Sequence, residues 1–300
     1  LLLFSLGALS SLSLPPFNFF LINFFTFSFF FIFLYKKIKT FPDKKISFYY
    51  GWLFGFGYFL TNLYWISISL TFDESFRILI PLTLIMIPAF ISIFYGFIFY
   101  FFVIFRTKKI ISSFLVFSLI FGLMEFVRGT ILTGFPWNLI AYSFSSQIEL
   151  ISIISVIGTY GFNLFCISLF TCPAILILRR SRKEIGICIF FIISVIIFCF
   201  YGISFKKEFG NIEKKTYEYK IRLIGSQISI DRFYLDKDPI SVIEELIKIS
   251  NPKLDEKIIF VWPEGMFPSI SQDELSKYEW LFDKKFSENH ILITGTNSRS

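Results

Sequence analysis

Histidine is almost absent from this 300-residue chain: His290 is the only one. A histidine-based catalytic triad or a multi-histidine metal site therefore has no material to work with. Neither a metal nor a cofactor is expected. Cysteine is scarce as well. Cys166, Cys172, Cys188 and Cys199 all fall inside apolar runs, and none forms a CxxC pair or has metal-ligand spacing. They read as small apolar residues of membrane helices, not as disulfide partners or zinc ligands. Charge is thin too. Only 17% of residues are charged against 55% hydrophobic, and a mean hydropathy of +0.67 excludes an ordinary soluble globular domain.

What is present is a series of apolar runs over residues 1–205, followed by an ordinary mixed-charge pattern over 206–300. A membrane helix needs about 20 apolar residues. Seven spans are predicted, at roughly 1–14, 17–35, 48–70, 78–105, 110–128, 150–178 and 185–205. Pro15 and Pro16 make a tight turn after the first. A cleavable signal peptide is not expected, because further apolar spans follow at once. The connecting loops alternate in charge. Loop 36–47 carries Lys36, Lys37, Lys39, Lys44 and Lys45, loop 106–109 carries Arg106, Lys108 and Lys109, and loop 179–184 carries Arg179, Arg180, Arg182 and Lys183. The intervening loops, 15–16, 71–77 and 129–149, hold a single positive charge between them, Arg77. Positive loops stay cytoplasmic, so residues 206–300 are expected on the outer side, which is the periplasm if the membrane is a bacterial inner membrane. The net charge of +7 is then a topology signal, and no nucleic-acid partner is needed to explain it. Membrane lipid is the expected surrounding.

The stretch "MEFVRGTILTGFPWNLIAYSF" (residues 124–144) is the least lipid-like part of the membrane region. Glu125 and Arg128 share one helix face near the end of the fifth span. They are either a local ion pair closing a helix terminus or a functional pair at membrane depth. Gly134 and Pro136 end regular helix. The segment Phe135-Pro136-Trp137, with Tyr142, is either an interfacial turn with an aromatic anchor or a re-entrant wall lining a cavity.

From Tyr219 the period changes. "YKIRLIGSQIS" alternates as a strand, and "DPISVIEELIKIS" has a helical apolar face with Asp238 near its start. "KIIFVWPE" is a continuous apolar strand, "SQDELSKYEWLFDKKFSEN" a second helix with Ser271 and Glu274 as a capping box, and "ILITGT" a third strand. Strand alternating with helix implies an α/β layer on a parallel sheet. Glu264 lies at the carboxyl end of the second strand, where functional groups of such sheets collect. Pro263 lacks an N–H for the ladder, so the strand stops and the carboxylate projects from its edge. With Trp262, Met266 and Phe267 around it, the carboxyl is expected to be partly desolvated, as suits a general base. A helix-capping or salt-bridged Glu is the alternative.

"VWPEGMFP" resembles the first catalytic motif of the nitrilase superfamily, in which a strand-end Glu is the general base of a Glu-Lys-Cys triad. Preceded by a multi-span membrane region, such a domain looks like the bacterial apolipoprotein N-acyltransferase family. "GALSSLSLPPF", "GWLFGFGYFLTNLYWISISL", "RGTILTGFPWNLIAYS", "GTYGFNLF" and "IRLIGSQI" are similar to that family in the same order along the chain. The resemblance implies a membrane helical bundle over 1–205 and the first part of an α/β nitrilase-like domain over 206–300. It also implies a two-step acyl transfer from a phospholipid donor, through a cysteine thioester, to the amino group of a diacylglyceryl-modified apolipoprotein acceptor. Glu264 matches the general base. Phe135, Pro136, Trp137 and Trp262 are implied substrate contacts. Where the family often has Trp after the first outer strand, this chain has Phe233 and Tyr234, of which Tyr234 could take the aromatic lid contact.

The triad's lysine and cysteine belong to motifs that normally lie further along. No lysine of 265–300 matches, and the four cysteines lie in membrane spans. Because the chain also opens on Leu1, it is expected to be a fragment and inactive alone. Two other readings stand beside this one. The first is another membrane-tethered nitrilase-like amidase or acyltransferase. The second is a transporter or receptor with an outer ligand-binding domain, which predicts paired internal repeats that the sequence does not contain.

Overall fold

The computed structural model describes residues 1–40, 43–211, 217–225, 238–267 and 270–296. The chain divides into two compact units, Leu1–Ile212 and Glu213–Ser300. The first is helical: α1 (Leu2–Ser11), α2 (Ile22–Thr40), α3 (Lys44–Asn62), α4 (Ile80–Phe105), α5 (Ile110–Thr130), the short α6 (Ile148–Ile151), α7 (Ile154–Leu178) and α8 (Arg182–Gly210). Turns of 3₁₀ helix follow α3 at Tyr64–Thr71, lead into α4 at Glu74–Leu79, and precede α6 at Ile140–Phe144.

Helix lies in each of the seven apolar runs. Among the described residues, however, four helices are long and apolar enough to cross a membrane: Glu74–Phe105, α5, α7 and α8. The number is five if α3 and Tyr64–Thr71, bent by 46°, form one span. The ten residues of α1 reach about 15 Å at 1.5 Å each, half of a hydrocarbon core. The last turn of α2 carries Lys36, Lys37 and Lys39, and α8 continues to Gly210, past the hydropathy boundary at 205.

Lipid tails are as apolar as leucine, so helices in a membrane associate through close packing and not through exclusion from water. The packing here has two devices. One is an aromatic interior: Phe27, Phe30, Phe54, Phe99, Phe117 and Phe121 are fully buried, with Phe30 stacked on Phe54 at 3.8 Å between centroids. The other is the α1–α3 crossing. A Cβ on Gly7 would stand 1.9 Å from the Phe54 carbonyl oxygen, and one on Gly57 would stand 2.0 Å from that of Phe4. Each glycine thus admits the other helix's backbone.

The second unit is a three-stranded parallel sheet in the order β1 (Lys220–Leu223), β2 (Ile258–Val261), β3 (His290–Ile293). Phe260 of β2 pairs with Arg222 on one side and Leu292 on the other. Helix α9 (Pro239–Ser250) makes the crossover from β1 to β2. As its spacing predicts, Asp238 caps it by accepting from the Ile240 N–H at 3.3 Å. Its buried Val242, Ile243, Leu246 and Ile247 pack with Ile258, Phe260 and Trp262. The opposite sheet face leaves Ile221, Leu223, Ile291 and Ile293 exposed. The Ser271–Glu274 capping box forms. The helix it opens is not continuous, however. It runs as α10 (Gln272–Leu275), a 3₁₀ turn at Ser276–Tyr278 and α11 (Glu279–Asp283), because Tyr278 leaves helical geometry at φ −105°, ψ 11°. Beside β1, Glu218 hydrogen-bonds the exposed Lys257 and holds its ammonium above the usual lysine range.

Candidate functional site

Helix α5 carries Glu125 and Arg128 one turn apart, and both are 1% exposed. Arg128 Nη2 lies 2.7 Å from Glu125 Oε2. Arg128 Nη1 donates to two backbone carbonyls beyond the helix end, Phe135 O at 2.7 Å and Trp137 O at 2.9 Å. The guanidinium also sits over the rings of Phe59 (5.2 Å) and Phe135 (5.9 Å). From α3, the Tyr58 hydroxyl donates to Asn138 O at 2.8 Å. Trp137 stacks on Trp65 with centroids 4.9 Å apart.

The chain turns sharply to reach these partners. Leu132, Thr133, Gly134 and Asn138 all adopt positive φ, a conformation that costs a non-glycine residue about 1–3 kcal/mol and persists only where its surroundings impose it. Beyond the turn, Leu139, Ile140, Ala141, Ser143 and Phe144 are buried, and the Ala141 N–H donates to Asn163 Oδ1 of α7 at 2.9 Å. The irregular backbone buried here finds its hydrogen-bond partner on a neighbouring helix, as buried backbone must. Of the three aromatic-segment residues, Phe135 is half-buried, Pro136 is exposed and Trp137 is 50% exposed. Tyr58, Phe59 and Trp65 were missed as site residues, although all three lie within the motif "GWLFGFGYFLTNLYWISISL".

In the α/β unit, Glu264 follows β2, the central strand. Val261 closes that strand, and the Trp262 N–H still reaches Ile293 O at 2.9 Å. Pro263 then ends the ladder, and Gly265 turns the chain with φ +73°. Gly295, just past β3, stands beside Glu264: a Cβ there would meet the Glu264 Cα at 3.9 Å. The expected partial desolvation is not found, because Glu264 is exposed. Trp262, Met266 and Phe267 turn beneath it into the unit's own core. Trp262 in particular is 3% exposed, packs between Phe267 and Phe282, and donates its indole N–H to Ser250 Oγ at 2.8 Å. Its placement is that of a core residue, not of a surface substrate contact. Trp262→Phe is therefore expected to destabilise the unit by about 1–2 kcal/mol, leaving the buried Ser250 hydroxyl without its partner. Chemical denaturation of Trp262→Phe, Ser250→Ala and the double variant checks this, since the coupling should vanish in the double. Tyr234 lies outside the described residues.

Apolar helices that can cross a membrane, followed by a parallel α/β layer with a carboxylate past its central strand, define a membrane-embedded protein with an appended α/β unit. Residues 6–172 match the apolipoprotein N-acyltransferase N-terminal domain, and the chain belongs to that family. Proteins named apolipoprotein N-acyltransferase are similar to it along nearly its whole length. The one from Allorhizobium ampelinum is 28% identical over 99% of this chain, that of Rhizobium leguminosarum bv. trifolii 30% over 98%, and that of Brucella suis 28% over 96%. The chain spans 57%, 57% and 56% of the length of these three relatives.

Proposed function

We propose that this chain forms the membrane region and the first part of a nitrilase-like domain of an enzyme that moves a phospholipid acyl chain onto the amino terminus of diacylated lipoproteins. The family match and the relatives' names support the acyltransferase reading. The observation that carries the catalytic assignment is the place of Glu264, directly past the central strand of a parallel sheet and free to meet a second reactant. In this reading the helices cross a bacterial inner membrane, the lysine-rich loops face the cytoplasm, and residues 206–300 lie on the periplasmic side. Phe135, Pro136 and Trp137 meet lipid acyl chains.

The chemistry divides into two steps. A thiol gives its proton to the Glu264 carboxylate, and the thiolate attacks the ester carbonyl of the phospholipid. The carbon–sulfur bond forms, the carbon–oxygen bond breaks, and the departing lysophospholipid alkoxide takes up the proton. The lipoprotein's α-amino group then attacks the thioester. Its carbon–nitrogen bond forms as the carbon–sulfur bond breaks, and Glu264 relays the amine proton to the leaving thiolate.

Cys166 and Cys172 lie on α7, and Cys188 and Cys199 on α8, helices that this reading keeps in the membrane, so it assigns the thiol to none of the four. Residues 1–300 alone are accordingly expected to transfer no acyl group. A chimera completing the chain with the remaining part of the Rhizobium leguminosarum relative is expected to acylate a diacylated lipopeptide from labelled phosphatidylethanolamine. Transfer by residues 1–300 alone would refute the triad assignment, and a folded but inert chimera would count against the function itself.

A further inference from the structure

We propose that Glu125 and Arg128 are positioning residues that hold the Phe135–Trp137 segment with its aromatic surface presented outward. The inference rests on reading that segment as the lipid contact. An ion pair within a single helix stitches nothing together, and a buried pair is weak support for stability in itself. What sets this one apart is where the rest of the guanidinium points. Glu125 engages Nη2 at 2.7 Å, and that contact turns Nη1 onto the carbonyls of Phe135 and Trp137. The planar fork of arginine suits this division of donors, and lysine has no equivalent.

The hydrogen bonds that hold the segment all run to its backbone, while the Phe135 ring packs inward against the core and Trp137 is the aromatic left facing out. Arg128 takes the carbonyls of Phe135 and Trp137, and Tyr58 takes that of Asn138. The Phe135 N–H returns to Arg128 O at 2.9 Å. All of these bonds lie on the inner side. Pro136 and half of Trp137 remain uncovered, and Trp65 stacks on Trp137 from one face. Leu132 and Thr133, held at φ +53° and +73°, are conformations the free chain would leave. Without the fork, the turn loses the two side-chain bonds that fix Phe135 and Trp137 and keeps only its own backbone bonds and the Tyr58 contact. Glu125 therefore orients Arg128, Arg128 sets the turn, and the turn aims Trp137.

The test uses fluorine NMR of the chain labelled with fluorotryptophan in lipid nanodiscs, with the Trp137 resonance identified by Trp137→Phe. The double variant Glu125→Leu/Arg128→Met removes both charges, so it is expected to fold and to melt within about 5 °C of the wild type. Its Trp137 resonance is expected to lose the ring-current shift from Trp65 and to broaden. Arg128→Lys keeps the charge balance but not the fork, and is expected to move the same resonance. If either folded variant keeps the wild-type Trp137 resonance, the proposal is overturned. Nitroxide-labelled phospholipid in the same discs tests the underlying reading separately. It should broaden wild-type Trp137, and its failure to do so removes the lipid contact without altering the comparison between variants.

Discussion

Gly57→Ala is expected to destabilise the helical unit by about 3 kcal/mol, at the upper end of what overpacking costs, and Gly57→Val by more. The added Cβ would lie 2.0 Å from the Phe4 carbonyl oxygen and 2.9 Å from its carbonyl carbon. These are backbone atoms, so no rotamer change can relieve the collision. Relief requires α1 to move off α3, which also opens the reciprocal contact of Gly7 with the Phe54 carbonyl. Because one separation relieves both collisions, Gly7→Ala should cost a similar amount, and the two together less than their sum. Gly186 of α8 is the control, since a Cβ there meets nothing within 4 Å. Gly186→Ala should be neutral or slightly stabilising, because alanine is the better helix former. Thermal unfolding of the purified variants in detergent decides the matter. Equal melting of Gly57→Ala and Gly186→Ala would mean that the close crossing does not bear on stability.

That crossing was not legible in the sequence, although its glycines were. "GWLFGFGYF" shows Gly51, Gly55 and Gly57 without saying that Gly57 meets α1 while Gly51 and Gly55 meet Tyr95 of α4. Close approach is a property of two helices, and only one is visible at a time in a sequence. The same limit applies to the loop. Glu125–Arg128 and Phe135-Pro136-Trp137 could each be picked out, the first by charge at membrane depth and the second by helix-breaking residues. Their connection could not, because a backbone carbonyl leaves no mark on residue identity. Local chemistry was more transparent. The Asp238 cap and the Ser271–Glu274 box are short-range patterns and form where the spacing places them; the three strands form within the predicted stretches, the first over Lys220–Leu223 alone of the residues described. Trp262 shows where such reasoning turns. A Trp beside a strand-end carboxylate suggests a binding surface, but alternation along β2 puts it with Ile258 and Phe260 on the helix-covered face.

The other large effect concerns chemistry and leaves the fold alone. In the chimera, Glu264→Gln is expected to lower acyl transfer by roughly 10²–10⁴-fold, the usual loss when a positioned general base is removed. Glutamine keeps the shape of the side chain but has no carboxylate to accept a proton, so on the proposed mechanism the thiol stays protonated and the amine proton has no relay. Stability should hardly change. Glu264 is exposed, and surface substitutions of this kind stay within about 0.5 kcal/mol. Activity and melting temperature are therefore expected to separate in a way that no packing defect reproduces. Trp262→Phe, two residues earlier, should show the reverse pattern, with the melting point falling while the folded fraction still transfers acyl groups. Glu279→Gln, in the first turn of α11, serves as the matched loss of a carboxylate. Thioester captured at normal levels in Glu264→Gln would move the base to another residue. If the thioester is lost in Glu264→Gln and kept in Trp262→Phe and Glu279→Gln, the proton transfer belongs to the carboxylate past the central strand.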